Sequence, residues 1–296
     1  MDKPNAKVIA HSQAPNGEEL ITLEIELHRF ILPELNTHRV FSRNYSSSRA
    51  VPVQKMIDQV RSNPAMPVHW GKNQSGMQAE EELTGENLYN AKEVWRSSAT
   101  LAANQAEVML SQNVHKQIVN RLLEPFMWTK GVVTATKDGF DSFFKLRCHK
   151  DAQPEIKLLA ERMQEAIEQS SSVKMEYGEY HLPYVKMMYP DTGQTSYNDE
   201  SVEDCIKISA SCCAQVSYRN LDTSLDKARK IYDMLNLPVD GNYSDEPPHF
   251  SPAEHIAKVM DEKGWCDFTA GGNFVTQTFW QYRKALESGK EIDFIS

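Results

Sequence analysis

The sequence predicts an α+β fold, because one segment has the pattern of a strand and several others have the pattern of amphipathic helices. Residues 20–31 alternate between apolar and polar side chains, which is typical of a strand with one buried face. Residues 86–112 and 151–169 repeat apolar side chains at helical spacing and predict two long helices. Shorter helices are predicted over residues 34–38, 53–60, 116–125 and 225–237, and a further strand region over residues 177–188.

The same patterns predict which side chains form the core. One face of the strand carries Ile21, Leu23, Ile25 and Leu27. The helix over residues 151–169 holds Pro154 in its first turn, and its buried stripe consists of Ile156, Leu159, Met163, Ala166 and Ile167. The candidate core contacts of the helix over residues 86–112 are Leu88, Val94, Trp95, Leu101, Ala102, Val108 and Met109.

The composition limits the classes of protein to which the chain can belong. Hydrophobic residues make up 40% and charged residues 25% of the 296 residues, as in a globular protein. The net charge of −9 argues against broad nucleic-acid binding, which depends on an excess of Lys and Arg. No apolar run reaches the roughly 18 residues of a membrane span. The first seven residues do not resemble a signal peptide.

The five cysteines predict neither a disulfide framework nor a metal site, because their number is odd and no C-x-x-C occurs. We therefore expect a reducing, cytoplasmic setting. Cys212 and Cys213 are adjacent in an apolar stretch, so we interpret them as core residues rather than as nucleophiles. The sequence contains no P-loop, no Rossmann glycine signature and no H-E-x-x-H motif.

Residues 36–52 form a polar segment that holds one histidine, three arginines and four serines. Guanidinium groups bind phosphate through paired hydrogen bonds, and serine hydroxyls fill the remaining acceptor positions. A solvated surface loop has a similar composition, so both interpretations are open on composition alone. Many phosphate donors without an evident nucleophile fit an enzyme whose cofactor supplies the chemistry.

Other polar segments also bear on function. Residues 61–85 predict a long loop, which is either a lid or binding segment or an ordered surface insertion. Arg121 lies among apolar residues, so it either extends to solvent or points into a polar site. In the turn 249–255, Ser251, Pro252 and Glu254 have the spacing of a capping box and predict the start of a helix. Residues 189–203 form the best candidate for a boundary within the chain.

Three blocks of the sequence resemble the flavin-dependent thymidylate synthases, which make dTMP from dUMP. The first block resembles the family signature and reads His38-Arg39-x-x-Ser42-x-Asn44-x-x-Ser47-x-Arg49. The second contains Val132-Val133-Thr134, then Phe143-x-x-Leu146-Arg147, then Ala152-Gln153-x-Glu155-Ile156. The third is Ser209-Ala-x-x-Ala214-Gln-Val-Ser217-Tyr218, followed by His249-x-Ser251-Pro252-x-Glu254-His255.

The order of the blocks is unusual, since the third block precedes the signature in the usual members. The chain is therefore similar to a circularly permuted, phage-type member. The resemblance implies a central mixed or antiparallel sheet flanked by helices. It also implies a homotetramer with shared active sites that binds dUMP, FAD, NADPH and methylenetetrahydrofolate, in the host cytoplasm if the chain is phage-encoded. No nucleic-acid or membrane partner is expected.

The resemblance implies one catalytic domain over residues 1–296. Its parts are a signature strand, helix and loop (1–60), an insertion loop (61–85), a helical and nucleotide-binding part (86–188), a permuted flavin-binding block (204–270) and an aromatic C-terminal segment (271–296).

The matched positions imply roles for individual residues. The catalytic residue would be Arg147, placed near the pyrimidine, where a cation stabilises developing negative charge. The residues implied for dUMP are Glu34, Tyr45, Ser47, Ser48, Arg49, Arg121 and Arg147. The residues implied for FAD are His38, Arg39, Asn44, Ser142, Leu146, Asp151, Ser217, His249, Ser251 and Glu254. No metal ligand is implied.

The chain departs from the family pattern at four positions. Thr37 stands where an arginine is usual, Tyr45 where an acidic residue is usual, and Asp151 where a histidine is usual. Glu34 stands where glutamine is frequent. The product is therefore open: the alternatives to dTMP synthesis are a flavin- and folate-dependent pyrimidine nucleotide hydroxymethylase and a dUMP-binding protein without catalysis.

Overall fold

The fold combines a five-stranded sheet with helices and two smaller sheets. The computed structural model describes residues 4–185, 187–188, 196–197, 201–217, 221–236, 250–260, 276 and 278–288. Within these residues the strands are β1 Asn5–Gln13, β2 Glu19–His28, β3 Ser42–Tyr45, β4 Trp128–Thr136, β5 Val173–Lys174, β6 Tyr180–His181, β7 Met187–Met188, β8 Ser196–Tyr197, β9 Ala257–Val259 and β10 Phe279–Gln281.

The helices of the described residues surround these sheets. The α-helices are α1 Leu32–Leu35, α2 Val53–Ser62, α3 Gly85–Ser111, α4 Lys116–Val119, α5 Lys137–Arg147, α6 Pro154–Glu168, α7 Val202–Ala214, α8 Leu225–Asn236 and α9 Tyr282–Ser288. Short 3-10 helices are formed by Arg29–Ile31, Asn120–Leu122, Glu124–Phe126, Gln215–Ser217 and Ser251–His255.

The large sheet has the strand order β3-β4-β2-β1-β5. Its neighbouring strands are antiparallel except for β1 and β5, which are parallel, so the sheet is mixed. β2 and β4 pair along their whole common length, from Leu20 opposite Thr136 to His28 opposite Trp128. The predicted α+β fold with a central mixed sheet flanked by helices is therefore confirmed. The smaller sheets have the orders β10-β9-β6 and β7-β8.

Helices α5 and α6 cover one face of the large sheet. The predicted inward face of β2 is confirmed, because Ile21, Leu23, Ile25 and Leu27 are at most 1% exposed and pack in this layer. α6 begins at Pro154, and the Gln153 side chain accepts a hydrogen bond from the backbone N–H of Ile156 at 3.0 Å. Its predicted stripe is buried at Ile156, Leu159 and Met163, and partly buried at Ala166 and Ile167.

The opposite face of the sheet carries a buried polar row beside a smaller apolar cluster, in which Leu20 packs with Ala257 and Val259 of β9. Thr22 and Thr134 lie opposite each other on β2 and β4, and their hydroxyl oxygens are 2.7 Å apart. The Thr22 hydroxyl contacts His181 Nε2 at 2.8 Å, and the Thr134 hydroxyl contacts His255 Nδ1 at 2.8 Å. Ser12 Oγ contacts His181 Nδ1 at 2.7 Å. Hydrogen bonds thus attach β6 and the 3-10 helix Ser251–His255 to the sheet.

The core contacts predicted for α3 are wrong at three positions. Val94, Leu101 and Val108 are 64%, 61% and 49% exposed. The buried residues of α3 are Ala99, Ala103 and Ala106, which pack in one cluster with Val53, Ile57 and Val60 of α2. Small side chains let two helices approach closely, so the alanine stripe faces α2 and the larger side chains point away.

Several other boundaries differ from the sequence predictions. The short helix is Leu32–Leu35 rather than 34–38, and the segment 36–52 contains strand β3, which pairs with β4. A helix begins at Ser251 as predicted, with Pro252 in its first turn, but it is a short 3-10 helix without a side-chain cap, so the capping box is wrong; β9 follows it. The strand region 177–188 is limited to two short strands.

No helix in the described residues is both long enough and apolar enough to cross a bilayer.

The buried histidines predict that the fold loses stability in mild acid. Burial lowers the pKa of His181 and of His255 to about 3, below the unfolded value of about 6.5. Their contribution to the free energy of unfolding is therefore complete above pH ~6.5 and decreases as the pH falls towards 3. The loss amounts to about 1.4 kcal/mol per pH unit for each histidine.

Urea unfolding between pH 7 and pH 4.5 measures this effect. His181→Asn should flatten the dependence on pH, while His149→Asn, at an exposed position, should not. Equal unfolding free energies across the range would contradict a neutral, buried histidine pair.

Candidate active site

Arg147, at the end of α5, is held by two acceptors from the segment before β3. Its Nε donates to Nε2 of His38 at 2.8 Å, and its Nη1 donates to Oε1 of Glu34 at 2.7 Å. The Arg147 and Glu34 side chains are 20% and 33% exposed, so the ion pair lies at the edge of solvent. Within the described part of the chain Nη2 has no hydrogen-bond partner, so its N–H groups stay available to a ligand.

His38 is a neutral acceptor in this arrangement. Its ring packs edge-on against Phe143, with the ring centroids 4.8 Å apart. Burial, followed by the charges of Arg147 and Arg43, lowers the pKa of His38 to about 4. The imidazole is therefore unprotonated near neutral pH, and its Nε2 accepts the Arg147 hydrogen bond. Arg43 also braces the segment, since its Nη1 donates to the carbonyl oxygens of His38 and Phe41 at 3.0 and 3.2 Å.

A cavity of about 850 Å³ opens beside Arg147 and Glu34. Its apolar and aromatic walls include Phe30 and Trp95, and the sequence departure Asp151 lies on its rim. A volume of this size matches a pocket for small organic ligands. The lining is mixed, because acidic and basic side chains alternate with the apolar and aromatic ones.

The long loop between α2 and α3 lines another side of the cavity and is held by hydrogen bonds to the rest of the chain. His28 Nε2 contacts the Met66 carbonyl oxygen at 2.8 Å, and Trp95 Nε1 donates to the Ala65 carbonyl oxygen at 3.0 Å. The backbone N–H of Val68 donates to Oε1 of Glu155 at 2.8 Å. Glu155 is 3% exposed and also accepts from Gln153 of the α6 cap. The loop is thus attached to the sheet, to α3 and to α6.

A second cluster joins the turn after β3 to the helical part of the chain. Ser48 is buried, and its hydroxyl donates to Oε1 of Glu124 at 2.9 Å. Arg121 Nη1 donates to both carboxylate oxygens of Glu124, at 3.1 and 3.3 Å. Arg29 Nη2 lies 3.5 Å from Glu124 Oε1. The structure therefore brings together Ser48 and Arg121, two of the residues expected at the substrate phosphate.

The remaining phosphate candidates lie next to this cluster in the chain. Ser47 is half-buried, and its hydroxyl oxygen accepts from the backbone N–H of Arg49 at 3.3 Å. The Arg49 side chain is exposed. Tyr45 packs on the large core, its ring lies against Gly131, and burial raises the pKa of its phenol. A dUMP contact by Tyr45 stays a prediction.

Several of the other residues expected at FAD have exposed side chains. Arg39, Ser142, Leu146 and Asp151 are exposed, and Asn44 is half-buried on β3. These side chains present a cation, a hydroxyl, an apolar contact, a carboxylate and an amide, which suits a long ligand with both polar and apolar parts.

The third block reaches the signature strand in space. Gln281 Nε2 donates to Ser42 Oγ at 2.9 Å and to the Glu254 carbonyl oxygen at 3.0 Å. Glu254 is buried and forms a hydrogen-bonded ion pair with Arg283. Burial raises the pKa of its carboxyl, while the charges of Arg283, Lys284 and Arg43 oppose that shift. Ser251 is half-buried at the start of the same 3-10 helix.

Two of the expected FAD residues lie beyond these observations. His249 is outside the described residues. Ser217 is the last residue of the 3-10 helix Gln215–Ser217, and its side chain is not among those that the structure describes.

Sequence reasoning missed Arg29, Glu124 and Gln281. Arg121 and Glu124 are three residues apart, the spacing of an ion pair on one helical face, and that signal was available. Arg29 and Gln281 carry no local signal, because only the pairing of distant strands brings them to these positions.

An α+β protein with arginine and serine donors around its third strand fits the class of nucleotide-binding enzymes. The family model for thymidylate synthase complementing proteins matches residues 13–171, more than half of the chain. The chain therefore belongs to this family, and the predicted family is confirmed. The match contains the first two blocks but ends before the third, so the permuted order stays a prediction. No curated protein sequence matches the chain.

Two solved structures are similar to parts of the chain. One is a UMP/dUMP methylase, PolB from Streptomyces cacaoi, bound with 5-Br dUMP. It is 14% identical with a TM-score of 0.46, over 56% of this chain and 90% of PolB. The other is the flavin-dependent thymidylate synthase ThyX from Helicobacter pylori, complexed with FAD and dUMP. It is 20% identical with a TM-score of 0.36, over 50% of this chain and 67% of ThyX.

Removing the Glu155 carboxylate should loosen the loop 63–84, which lines the cavity. Glu155→Ala leaves the partly buried N–H of Val68 without its acceptor, which costs about 1 kcal/mol of folding free energy. Limited proteolysis should cut residues 63–84 faster than in the wild-type protein. Glu161→Ala, at another position that lines the cavity, is the matched control. Equal cleavage rates in the two variants would show that Glu155 does not hold the loop.

Proposed function

We propose that the protein is a flavin-dependent thymidylate synthase. In this proposal it methylates dUMP to dTMP in the cytoplasm, with methylenetetrahydrofolate as the one-carbon donor and NADPH as the reductant. The observation that carries the proposal is the arrangement of Arg147, which Glu34 and His38 hold at the wall of a ligand-sized cavity in a member of this family.

Arg147 has the geometry of a residue that stabilises negative charge on a pyrimidine. Its guanidinium is fixed by bonds from two nitrogen atoms, so little reorganisation is needed when a ligand binds to the third. Neutral His38 accepts a hydrogen bond from the guanidinium and adds no charge that would cancel it. Negative charge that develops on a uracil carbonyl oxygen is then met by a preorganised cation in a partly desolvated site.

The described cysteines do not compete with this assignment. Cys212 and Cys213 are buried, and burial raises the pKa of the Cys212 thiol to about 12 and that of Cys213 well above its usual value. Burial also raises the pKa of the half-buried Cys148. A thiolate nucleophile is therefore disfavoured at each of these positions, which supports a reaction that does not depend on attack by an enzyme cysteine.

The donor set around Arg147 fits a flavin dinucleotide. Arg39 would hold a pyrophosphate, Ser142 and Asn44 would donate to polar atoms, and Leu146 would contact the apolar part of the ring. Ser251 and Glu254 would also contact the flavin, since Gln281 links the Glu254 carbonyl oxygen to Ser42 of β3. Ser217 and His249 are further expected contacts. When bound, the flavin supplies the hydride that completes the new methyl group.

The second cluster supports a site for the substrate phosphate. Ser48 and Arg121 already point at one anionic group, and the exposed guanidinium of Arg49 follows Ser48 directly. Charge-assisted hydrogen bonds of this kind contribute about 1.5–3 kcal/mol each.

We also propose that active sites are shared between subunits of a homotetramer. Val94, Leu101 and Val108 of α3 are exposed in a single chain. Ile118, which follows α3 in the sequence, is 51% exposed. Large apolar side chains in a row are unfavourable in water and are typical of an association surface.

A second candidate is a pyrimidine nucleotide hydroxymethylase. The observation that favours it is the position of Asp151, which stands where the family usually has histidine and lies on the rim of the Arg147 cavity. A carboxylate there can orient a water molecule and so favour a hydroxymethyl product over a methyl product.

Product analysis tests the proposal. The purified protein is incubated with dUMP, methylenetetrahydrofolate, FAD and NADPH, and the nucleotides are identified by mass spectrometry; dTMP is expected. Arg147→Ala should lower kcat at least ~100-fold, while Arg162→Ala, at a site paired with Glu165 on α6, should leave kcat unchanged. Hydroxymethyl-dUMP as the sole product would support the second candidate. A colourless protein that binds dUMP but takes up no FAD would be a binding protein.

Mixing inactive variants tests the shared site. Arg121→Ala and Arg147→Ala should each be inactive, and a mixture that has exchanged subunits should regain activity. If each site takes Arg121 from one chain and Arg147 from another at random, about a quarter of the sites contain both arginines. The mixture should therefore have about a quarter of the wild-type activity. If both residues of a site came from one chain, the mixture would stay inactive.

A further inference from the structure

One carboxylate oxygen of Glu124 collects donors from three separate segments of the chain. Glu124 Oε1 accepts from Ser48 Oγ at 2.9 Å and from Arg121 Nη1 at 3.1 Å, and it lies 3.5 Å from Arg29 Nη2. Ser48 belongs to the turn after β3, Arg29 to the turn after β2, and Arg121 to the 3-10 helix Asn120–Leu122. Converging charged donors of this kind define an anion site.

The charges in this cluster do not balance. Two guanidinium groups surround one carboxylate, and the exposed guanidinium of Arg49 lies one residue after Ser48. The site therefore has an excess of positive charge that a dianionic ligand would neutralise better than a single carboxylate does.

The donors held by Glu124 are those that the proposed function assigns to the substrate phosphate. Ser48 has one hydroxyl proton and cannot donate it to Glu124 and to a phosphate together. A carboxylate left in contact with the phosphate would also repel it. The two anions therefore compete for one position.

We propose that Glu124 occupies the phosphate position of the nucleotide site until the phosphate of a nucleoside monophosphate displaces it. This inference rests on the proposed function, since it takes Ser48 and Arg121 as phosphate ligands. A neutral nucleoside brings no charge to replace that of Glu124, so the carboxylate makes the site selective for the phosphorylated substrate.

The surroundings of Glu124 allow this exchange. Its side chain is 23% exposed and that of Arg121 is 58% exposed, so the carboxylate can turn towards solvent by rotating its own side chain. Ser48 is only 5% exposed, and its carbonyl oxygen accepts from the buried amide of Asn120 at 2.5 Å. The Ser48 hydroxyl thus stays in place while its acceptor changes from Glu124 to the phosphate.

The test is the affinity of Glu124→Gln for dUMP, measured by isothermal titration calorimetry. The amide keeps the size of the side chain and can still accept from Ser48, but it lacks the competing charge. The variant should bind dUMP about tenfold more tightly than the wild-type protein. Inorganic phosphate should compete with dUMP at a correspondingly lower concentration, and the affinity for deoxyuridine should not change.

Glu107→Gln is the matched control, because Glu107 pairs with Arg61 on the exposed surface between α2 and α3. It should leave the dUMP affinity unchanged. Thermal unfolding checks that each variant is folded, and Glu124→Asp, whose shorter side chain withdraws the charge from Ser48, serves as a second variant that should also bind dUMP more tightly.

Two further variants separate failure of this inference from failure of the proposed function. If Arg49→Ala and Arg121→Ala each weaken dUMP binding at least about tenfold, while Glu124→Gln binds dUMP equally or less tightly, then Glu124 does not compete and only the inference is overturned. If neither arginine affects dUMP binding, the phosphate lies elsewhere, and both the phosphate site and the inference are wrong.

Discussion

The antiparallel pairing of β2 with β4 is the constraint on which the rest of the structure depends. It joins segments far apart in the sequence over the whole of β4, from Trp128 to Thr136. β3 then pairs with the other side of β4, which fixes the signature segment in space. α5 follows β4 directly and ends at Arg147, whose guanidinium therefore meets His38 and Glu34.

The two faces of this sheet are held by different physical interactions. Apolar burial attaches α5 and α6 to one face, and that attachment tolerates changes of pH. On the other face, hydroxyl groups of the strands bond to His181 and His255, which burial keeps neutral. His255 of the third block is therefore attached to the sheet by a hydrogen bond with a defined direction, next to the apolar contact of Leu20 with Ala257 and Val259.

Charge is arranged differently in the two clusters of the candidate site. Arg147 keeps a donor available because its neighbours are one carboxylate and one neutral imidazole. Ser48 and Arg121 are instead satisfied by Glu124, so a ligand phosphate must take over donors that are already in use. If the proposals hold, the first cluster is prepared for charge that develops during reaction, and the second selects the substrate before reaction begins.

The sequence by itself determined the family, the strand β2 and the helix α6, because these depend on local periodicity and on motif spacing. It placed Val94, Leu101 and Val108 of α3 in the core, and the structure exposes them, since periodicity identifies an apolar side chain but not the surface that covers it. It gave no sign that Glu124 accepts from Ser48 or lies close to Arg29, or that Glu155 accepts from Val68 of the long loop. Those contacts join segments distant in the chain, and only strand pairing and helix packing bring them together.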